Sequence, residues 1–498
     1  MTMTESTHAP GQAPASTGID GLDDVLRGGL TRNRLYLIAG VPGAGKTTLA
    51  LQFLIEGVRR GERVLYVTLS ETEEELRSVA LSHGWSLEGI KIHELMPMEG
   101  SLGADEQYTM FHPSEVELGN TTRTILSEVE RLQPTRVAFD SLSEMRLLAG
   151  NPLRYRRQIL ALKQYFVGRG CTVLLLDDLT STDGDLQVHS IAHGVLQLEM
   201  ENPVYGAERR RLVVVKFRGV GFRGGYHDFT IQRGGLEVFP RLVASEHARP
   251  HVHERLKSGL EELDILLGGG IERGSSTLVV GPAGSGKSSL ATRFALTAAQ
   301  RGEKSALFIF DESTRTLVHR SAGLGMDLQK AIDDGLVTVK QIDPAELSPG
   351  EFAHCIRQAI ERDQVSLVVI DSLNGYLNAM PGERFLAIQL HELTTYLGQA
   401  NVGTILIGAH VGLIGSQMVT PVDASYLADA VVLLRYFENR GEVRQAISVV
   451  KKRGGEHERT IREFRMEGGR IHVGEPLRNF RGVLTGVPSM ETLKANGA

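Results

Sequence analysis

Two octapeptides in this chain have the residue types and spacing to cradle a triphosphate. Gly40-Val41-Pro42-Gly43-Ala44-Gly45-Lys46-Thr47 and Gly281-Pro282-Ala283-Gly284-Ser285-Gly286-Lys287-Ser288 both satisfy G-x-x-x-x-G-K-[ST]. The glycines let backbone N–H groups turn inward onto phosphate oxygens. The lysine reaches the β- and γ-phosphates, and the hydroxyl of Thr47 or Ser288 enters the shell of a Mg2+ ion. The spacing assigns ATP binding to Gly43, Ala44, Gly45, Lys46, Thr47 and Thr48, and to Gly284, Ser285, Gly286, Lys287, Ser288 and Ser289. Each loop follows an apolar run (Leu35–Ala39; Thr277–Val280) and opens a segment with helical spacing, the strand–loop–helix context that the motif requires.

A phosphate loop needs a carboxylate at the end of a neighbouring buried strand to hold metal-bound water. Asp140 closes Val137-Ala138-Phe139 and Asp371 closes Leu367-Val368-Val369-Ile370, so both are candidate metal ligands beside Thr47 and Ser288. Hydrolysis also needs a group that orients or deprotonates the attacking water. The second apolar run of each copy ends in candidates, Ser70-Glu71 and Asp311-Glu312, and strands of an open parallel sheet deliver such residues to the ligand crevice. Glu71 and Glu312 are the primary catalytic candidates and Asp311 a secondary one. The pairs Lys216/Arg218 and Lys451/Arg453 end late strands before Gly-rich turns, and their recurrence marks them as groups that neutralise transition-state charge in an adjacent subunit's site. Asp177-Asp178, after the fourth strand, fits two readings, a contact to a polarised water or magnesium and, favoured over it, the cap of the next turn. Arg209-Arg210-Arg211, with Glu199, Glu201 and Glu208 close by, reads as a solvated strand edge. His189 and His193, and His247, His251 and His253 further on, have no companions that complete a metal set.

The elements that position these groups are themselves duplicated. The spacing of 241 residues between Lys46 and Lys287 also carries Gly18 onto Gly259, Leu22 onto Leu263, Asp23 onto Asp264 and Gly84-Trp85 onto Gly325-Met326. Farther on, Asp140-Ser141-Leu142 matches Asp371-Ser372-Leu373 at a spacing of 231, so the first copy carries ten surplus residues, assigned to Met96–Ser114. Repeats are expected over 17–245 and 255–488, with a linker at 246–254, a flexible N-terminus at 1–16 and a flexible tail at 489–498. Apolar runs (Leu35–Ala39, Val64–Leu69, Arg136–Phe139, Thr172–Leu176, Leu212–Lys216 and their counterparts) alternate with helical periodicity. That pattern predicts an α/β fold of two tandem P-loop domains, mainly parallel sheets flanked by helices, with an antiparallel ribbon at the end of each copy. The chain has 498 residues, a net charge of −6 and only two cysteines, Cys171 and Cys355. The charge argues against a constitutive nucleic-acid or anionic-membrane binder, and the cysteine count excludes a disulfide framework. No apolar run reaches membrane-span length and the N-terminus has no signal-peptide core, so a cytoplasmic protein is expected.

The tandem loops, the Asp-Ser-Leu after the buried strand, the duplicated Lys-x-Arg-Gly and the final segment Arg435-Tyr436-Phe437-Glu438 through Arg478-Asn479-Phe480 resemble the KaiC family of RecA-like ATPases over residues 17–488. The resemblance implies a double-ring homohexamer with ATP and Mg2+ between subunits and the Lys-x-Arg pairs reaching into the neighbour's site. It also implies ATP hydrolysis and, as in the clock proteins, serine/threonine autophosphorylation in the second ring. The family's paired glutamates become Ser70-Glu71 and Asp311-Glu312, and its Ser-Thr phosphoacceptor pair falls on Ser425-Tyr426, leaving Ser425 as the matching acceptor. The short stretch beyond Pro488 lacks most of the tail to which a clock regulator binds. These departures point to a signalling ATPase with a protein partner rather than to an oscillator. Two other readings share the ATP core: a RecA-like DNA recombination or helicase motor, and a scaffold in which one ring binds ATP only to assemble.

Overall fold

Apolar runs that lack alternation become strands covered on both faces, and such strands build the centre of each half of this molecule. The computed structural model describes residues 13–95, 113–178, 186–250, 252–378, 386–409, 426–483 and 489–490. The chain divides into two units, Met1–Arg241 and Leu242–Ala498, each built on one nine-stranded sheet.

In unit 1 the strands are β1 (Leu35–Gly40), β2 (Val64–Thr68), β3 (Ile90–Glu94), β4 (Arg136–Asp140), β5 (Thr172–Asp177), β6 (Gly194–Glu201), β7 (Arg209–Phe217), β8 (Tyr226–Gln232) and β9 (Gly235–Phe239), in the order β3-β2-β4-β5-β1-β6-β7-β8-β9. Strands β1 to β6 run parallel; β6 to β9 form the antiparallel ribbon. Every residue of β1, β2, β4 and β5 is buried, as a parallel sheet with helices on both faces requires. Period-two side chains feed two cores. Tyr36 and Ile38 pack with Leu49, Phe53 and Leu54 of the helix Lys46–Arg59, while Leu35, Leu37 and Ala39 pack with Ile159, Leu162 and Phe166 of the helix Pro152–Gly168.

Unit 2 repeats the plan. Its strands are β10 (Ser276–Gly281), β11 (Ser305–Ile309), β12 (Val337–Gln341), β13 (Leu367–Asp371), β14 (Gly403–Ala409), β15 (Ala430–Asn439), β16 (Glu442–Lys452), β17 (Arg462–Glu467) and β18 (Arg470–Pro476), in the order β12-β11-β13-β14-β10-β15-β16-β17-β18. The position-by-position match has physical causes. Asp23 Oδ1 accepts the Thr17 N–H at 2.8 Å and Asp264 Oδ1 accepts the Ser258 N–H at 2.8 Å, so both aligned aspartates close the turn that enters the first helix of their unit.

One internal exchange separates the halves. In unit 1 the fully buried Arg136 pairs with Glu62, donates to the Phe53 carbonyl at 2.8 Å and lies 4.6 Å over the Phe53 ring. A Cβ on Gly57 would stand 2.7 Å from Arg136 Cδ. Unit 2 has Leu367 and Ala298 at the equivalent positions: the shorter side chain in the strand leaves room for a methyl on the facing helix.

The apolar runs account for five strands per copy, and each sheet holds nine. Strand β3 is short and carries Lys91, His93 and Glu94, so it lacks an apolar run, and the ribbon strands gain their pairing from neighbours rather than from composition. Arg209-Arg210-Arg211 are not at an edge. They lie in β7 between β6 and β8, with Arg210 paired to Glu208 and Arg211 to Glu201. In unit 2, the segment after Leu242 docks on the helix Leu386–Gln399: Ala244 is buried, His247 meets the Tyr396 ring edge-on at 5.0 Å, and Arg249 N–H donates to Gln399 O. The surplus stretch of the first copy lies in a connection whose residues 96–112 are outside the described residues.

Candidate nucleotide sites

In unit 1 the chain leaves β1 at Gly40, turns through the loop and enters the helix Lys46–Arg59 with Gly45 as its left-handed cap at φ 100°. The positive φ favours glycine at Gly45, and a Cβ there would also lie 2.6 Å from Ile231 Cδ1 of the ribbon strand β8, which backs the loop. The Lys46 ammonium, 7% exposed, donates to the carbonyls of Gly40 (2.8 Å) and Val41 (3.1 Å) and pairs with Asp178 Oδ1 at 2.8 Å. Thr47 Oγ1 donates to Asp140 Oδ2 at 3.2 Å, and the Tyr66 hydroxyl donates to the same oxygen at 2.6 Å. Burial raises the Asp140 pKa against the pull of these two hydroxyls. Thr48 is buried in the first helical turn, behind the loop.

Glu71 is held by its own backbone. Thr68 Oγ1, at the end of β2, donates to Glu71 O at 2.7 Å and accepts the Glu71 N–H at 3.0 Å. Its Oε2 is buried without a hydrogen-bond partner. Burial first, then the charges of Asp140, Glu75 and Asp178, push its carboxyl up to about 6. The turn expected after Asp177-Asp178, at 179–185, lies outside the described residues; Asp177 pairs with Arg146 at 2.7 Å and Asp178 with Lys46 at 2.8 Å. Spacing could not reveal this, because Lys46 and Asp178 meet only through the β1–β5 pairing.

Unit 2 uses the same frame with a different set of acids. Gly286 caps the helix Lys287–Gln300 at φ 93°, and a Cβ there would lie 2.8 Å from both Phe464 and Met466 of β17. Lys287 donates to the Pro282 carbonyl at 2.7 Å, and burial lowers its pKa against the pull of Asp371 and Asp311. Burial raises Asp371, while hydrogen bonding from Ser288 and the charge of Arg320 oppose it. Ser372 Oγ donates to Asp311, and Glu312 pairs with Arg320 at 2.7 Å. Burial still holds the Glu312 carboxyl above its ordinary range, opposed by Arg320. Ser285 and Ser289 are buried, and the Ser285 hydroxyl has no partner. Gly284, Gly286, Lys287, Ser288, Ser289, Arg320 and Met466 help line a cavity of about 400 Å3, within the span of small-molecule sites. The peptides Asp140–Ser141 and Asp371–Ser372 are both cis.

The Lys-x-Arg pairs stand elsewhere. Lys216 lies opposite Val195, which lies level with Leu37 near the start of β1, at the sheet end away from the loop. Its ammonium donates to the carbonyls of His189 and Ala192, and Arg218 donates to Ser190 O. In unit 2, Lys451 donates to Ala428 O at 2.8 Å and Arg453 to Tyr426 O at 3.0 Å. Each pair thus clasps the segment that enters the sixth strand of its own sheet. Ser425 lies outside the described residues. Among the described residues no His/Cys/Asp/Glu cluster forms a metal site on its own, and no helix is long and apolar enough to cross a membrane.

Comparison with known proteins identifies the family. A family model described as "ATPase: KaiC" matches residues 15–243 and again 256–478. The circadian clock protein KaiC3 of Synechocystis sp. is 29% identical over 482 residues, 95% of this chain and 94% of that protein. The circadian clock oscillator protein KaiC of Thermosynechococcus vestitus is 29% identical over 478 residues, 95% and 91% of the two chains. The KaiC of Synechococcus elongatus is 27% identical over 486 residues, 97% and 93%.

Proposed function

The chain belongs to the KaiC family of ATPases, and from that premise we propose that it binds and hydrolyses ATP in both units and acts in signalling or clock-like regulation through a protein partner. The observation that carries the reading is the convergence of Lys46, Thr47, Asp140 and Glu71 at the ends of β1, β2 and β4, repeated by Lys287, Ser288, Asp371 and Glu312. Gly43, Ala44 and Gly45, and Gly284, Ser285 and Gly286, wrap the phosphates at a helix N-terminus whose dipole favours an anion. The hydroxyl–carboxylate pairs Thr47/Asp140 and Ser288/Asp371 suit a Mg2+ ion, which when bound neutralises charge on the β- and γ-phosphates. Glu71, with a buried oxygen that has no hydrogen-bond partner among the described residues and a carboxyl pushed up to about 6, takes the proton of the attacking water. Glu312 has the same duty in unit 2, with Asp311 beside it.

The protein assembles as a homohexamer with ATP between copies, where Lys216, Arg218, Lys451 and Arg453 neutralise transition-state charge in the neighbour's sites. Topology supports this, since both pairs end their strands at the far rim of the sheet from their own phosphate loops. Unit 2 also transfers phosphate to Ser425. Phosphate release from the Lys46→Ala and Lys287→Ala proteins, with light scattering in the presence and absence of ATP, tests the two-site ring. Each variant should lose part of the turnover, and unchanged hydrolysis in either removes that unit from the reading. Incubation with γ-labelled ATP followed by mass spectrometry tests the kinase step, which an unlabelled 420–430 peptide would refute.

A further inference from the structure

The ammonium of a lysine has three N–H bonds, and in unit 1 all three are engaged. Two go to main-chain carbonyls of the loop, Gly40 and Val41, and the third to the carboxylate of Asp178. Asp178 is 29% exposed on its side chain, against 7% for Lys46, so it approaches from the open side. Its second oxygen accepts from the hydroxyls of Ser143 at 3.1 Å and Ser141 at 3.5 Å. The backbone is fixed too, because the Asp178 N–H donates to Ser143 Oγ at 3.2 Å.

Unit 2 keeps the backbone part of this arrangement and omits the acid. The equivalent N–H, that of Ala409, donates to Asn374 Oδ1 at 2.8 Å. With alanine there, Lys287 donates to the Pro282 carbonyl and has no ion pair among the described residues. Two of its three N–H bonds have no acceptor among the described residues.

We propose that Asp178 is a displaceable counter-ion that competes with nucleotide phosphate for Lys46, so that unit 1 binds ATP more weakly than unit 2. A phosphate oxygen that reaches Lys46 must take one of three occupied positions. The two carbonyls belong to the loop that forms the cradle, which leaves the carboxylate to give way. The hydroxyls of Ser141 and Ser143 keep it near the phosphates after it yields, and like charge then continues to oppose the nucleotide. Asp178 is in this sense a positioning residue for binding affinity; it transfers no proton. The inference rests on the reading of unit 1 as an ATP site.

Calorimetric titration of Mg-ATP into the full-length Lys287→Ala protein, with and without Asp178→Asn, tests it. Removing the competing charge should tighten binding about tenfold, the scale of one partly screened ion pair. Asp178→Ala should give the same gain, and tighter binding is not what a damaged fold produces. In the Lys46→Ala protein, Ala409→Asp should weaken binding by unit 2. Equal or weaker binding in both Asp178 variants overturns the competition while leaving the ATP site intact. If none of the Lys287→Ala proteins binds ATP, unit 1 is no ATP site and both readings fall together.

Discussion

Unit 1 and unit 2 share a sheet order strand for strand, yet their candidate nucleotide sites draw acidic groups from different places. The loop lysine, the hydroxyl after it and the aspartate it meets occur at equivalent positions, set by the shared loop and the adjoining strand ends. The next carboxylate is free to move. Unit 1 has it at the end of β5, as Asp178 on Lys46; unit 2 has it at the end of β11, as Asp311 bonded by Ser372. The lesson is that this topology specifies a crevice and a few groups in it, while the balance of charge within the crevice is set by single residues at strand ends.

The strongest way to sharpen the contrast is through the proposed bases. Glu71→Gln in the Lys287→Ala background should cut unit 1 hydrolysis about 100- to 10,000-fold, measured by phosphate release. Where Glu71 remains, turnover should fall as the pH drops through about 6, because the carboxyl gains its proton there. In unit 2, Arg320 holds Glu312, and Glu312→Gln should leave a larger residual rate.

The second test concerns stability. Glu62→Ala leaves the Arg136 guanidinium buried without its carboxylate and should destabilise unit 1 by about 3 kcal/mol, read from denaturant melts. The double change Gly57→Ala with Arg136→Leu copies unit 2 and should cost less. If it costs more, the two halves do not pack this position in equivalent ways.

Acid should separate the units next. Burial holds His227 neutral, down to about 4, with its Nδ1 accepting the Arg241 N–H at 2.9 Å. The unfolded chain, with histidine near 6.5, takes up the proton first as pH falls. Stability from this group is therefore present above about 6.5 and lost progressively towards 4, by about 3 kcal/mol. His193, also lowered to about 4 chiefly by burial, adds to the trend. Unit 2 has Arg462 in place of His227, and arginine does not titrate in this range. Limited proteolysis with mapped fragments should find unit 1 opening first at pH 5; simultaneous loss contradicts the assignment.

The smallest effect belongs to Tyr66→Phe. Its hydroxyl bonds Asp140 in unit 1, whereas Leu307 occupies the equivalent position in unit 2. Loss of one hydrogen bond to a carboxylate, about 1.5–3 kcal/mol when not replaced, should weaken the Mg2+ dependence of hydrolysis by unit 1 and bring it towards that of unit 2.

The parts that were legible in the sequence share one property: they are local. The glycines and lysine of each loop lie within eight residues, and Asp140 and Asp371 close unbroken apolar runs that read as buried strands. The pairing of Asp178 with Lys46 was not legible, because the two lie 132 residues apart and meet only when β1 and β5 pair. Strands β6 and β15 escaped notice for a related reason. Their place beside the first strand comes from sheet order, and no motif encodes it. Ile231 and Met466, which back the loops, look like ordinary ribbon residues until the chain folds around them.

The Gly57/Arg136 and Ala298/Leu367 exchange makes the two halves poor spare parts for one another. Grafting the helix Lys287–Gln300 into unit 1 would import the loop lysine intact and also drive the Ala298 methyl into a buried guanidinium. The reverse graft would leave a hole beside Leu367. Shuffling between the two repeats in a coding sequence must therefore exchange the helix and its facing strand together. A chimera that respects only the motif boundary inherits an ATP loop on a helix that no longer fits its sheet.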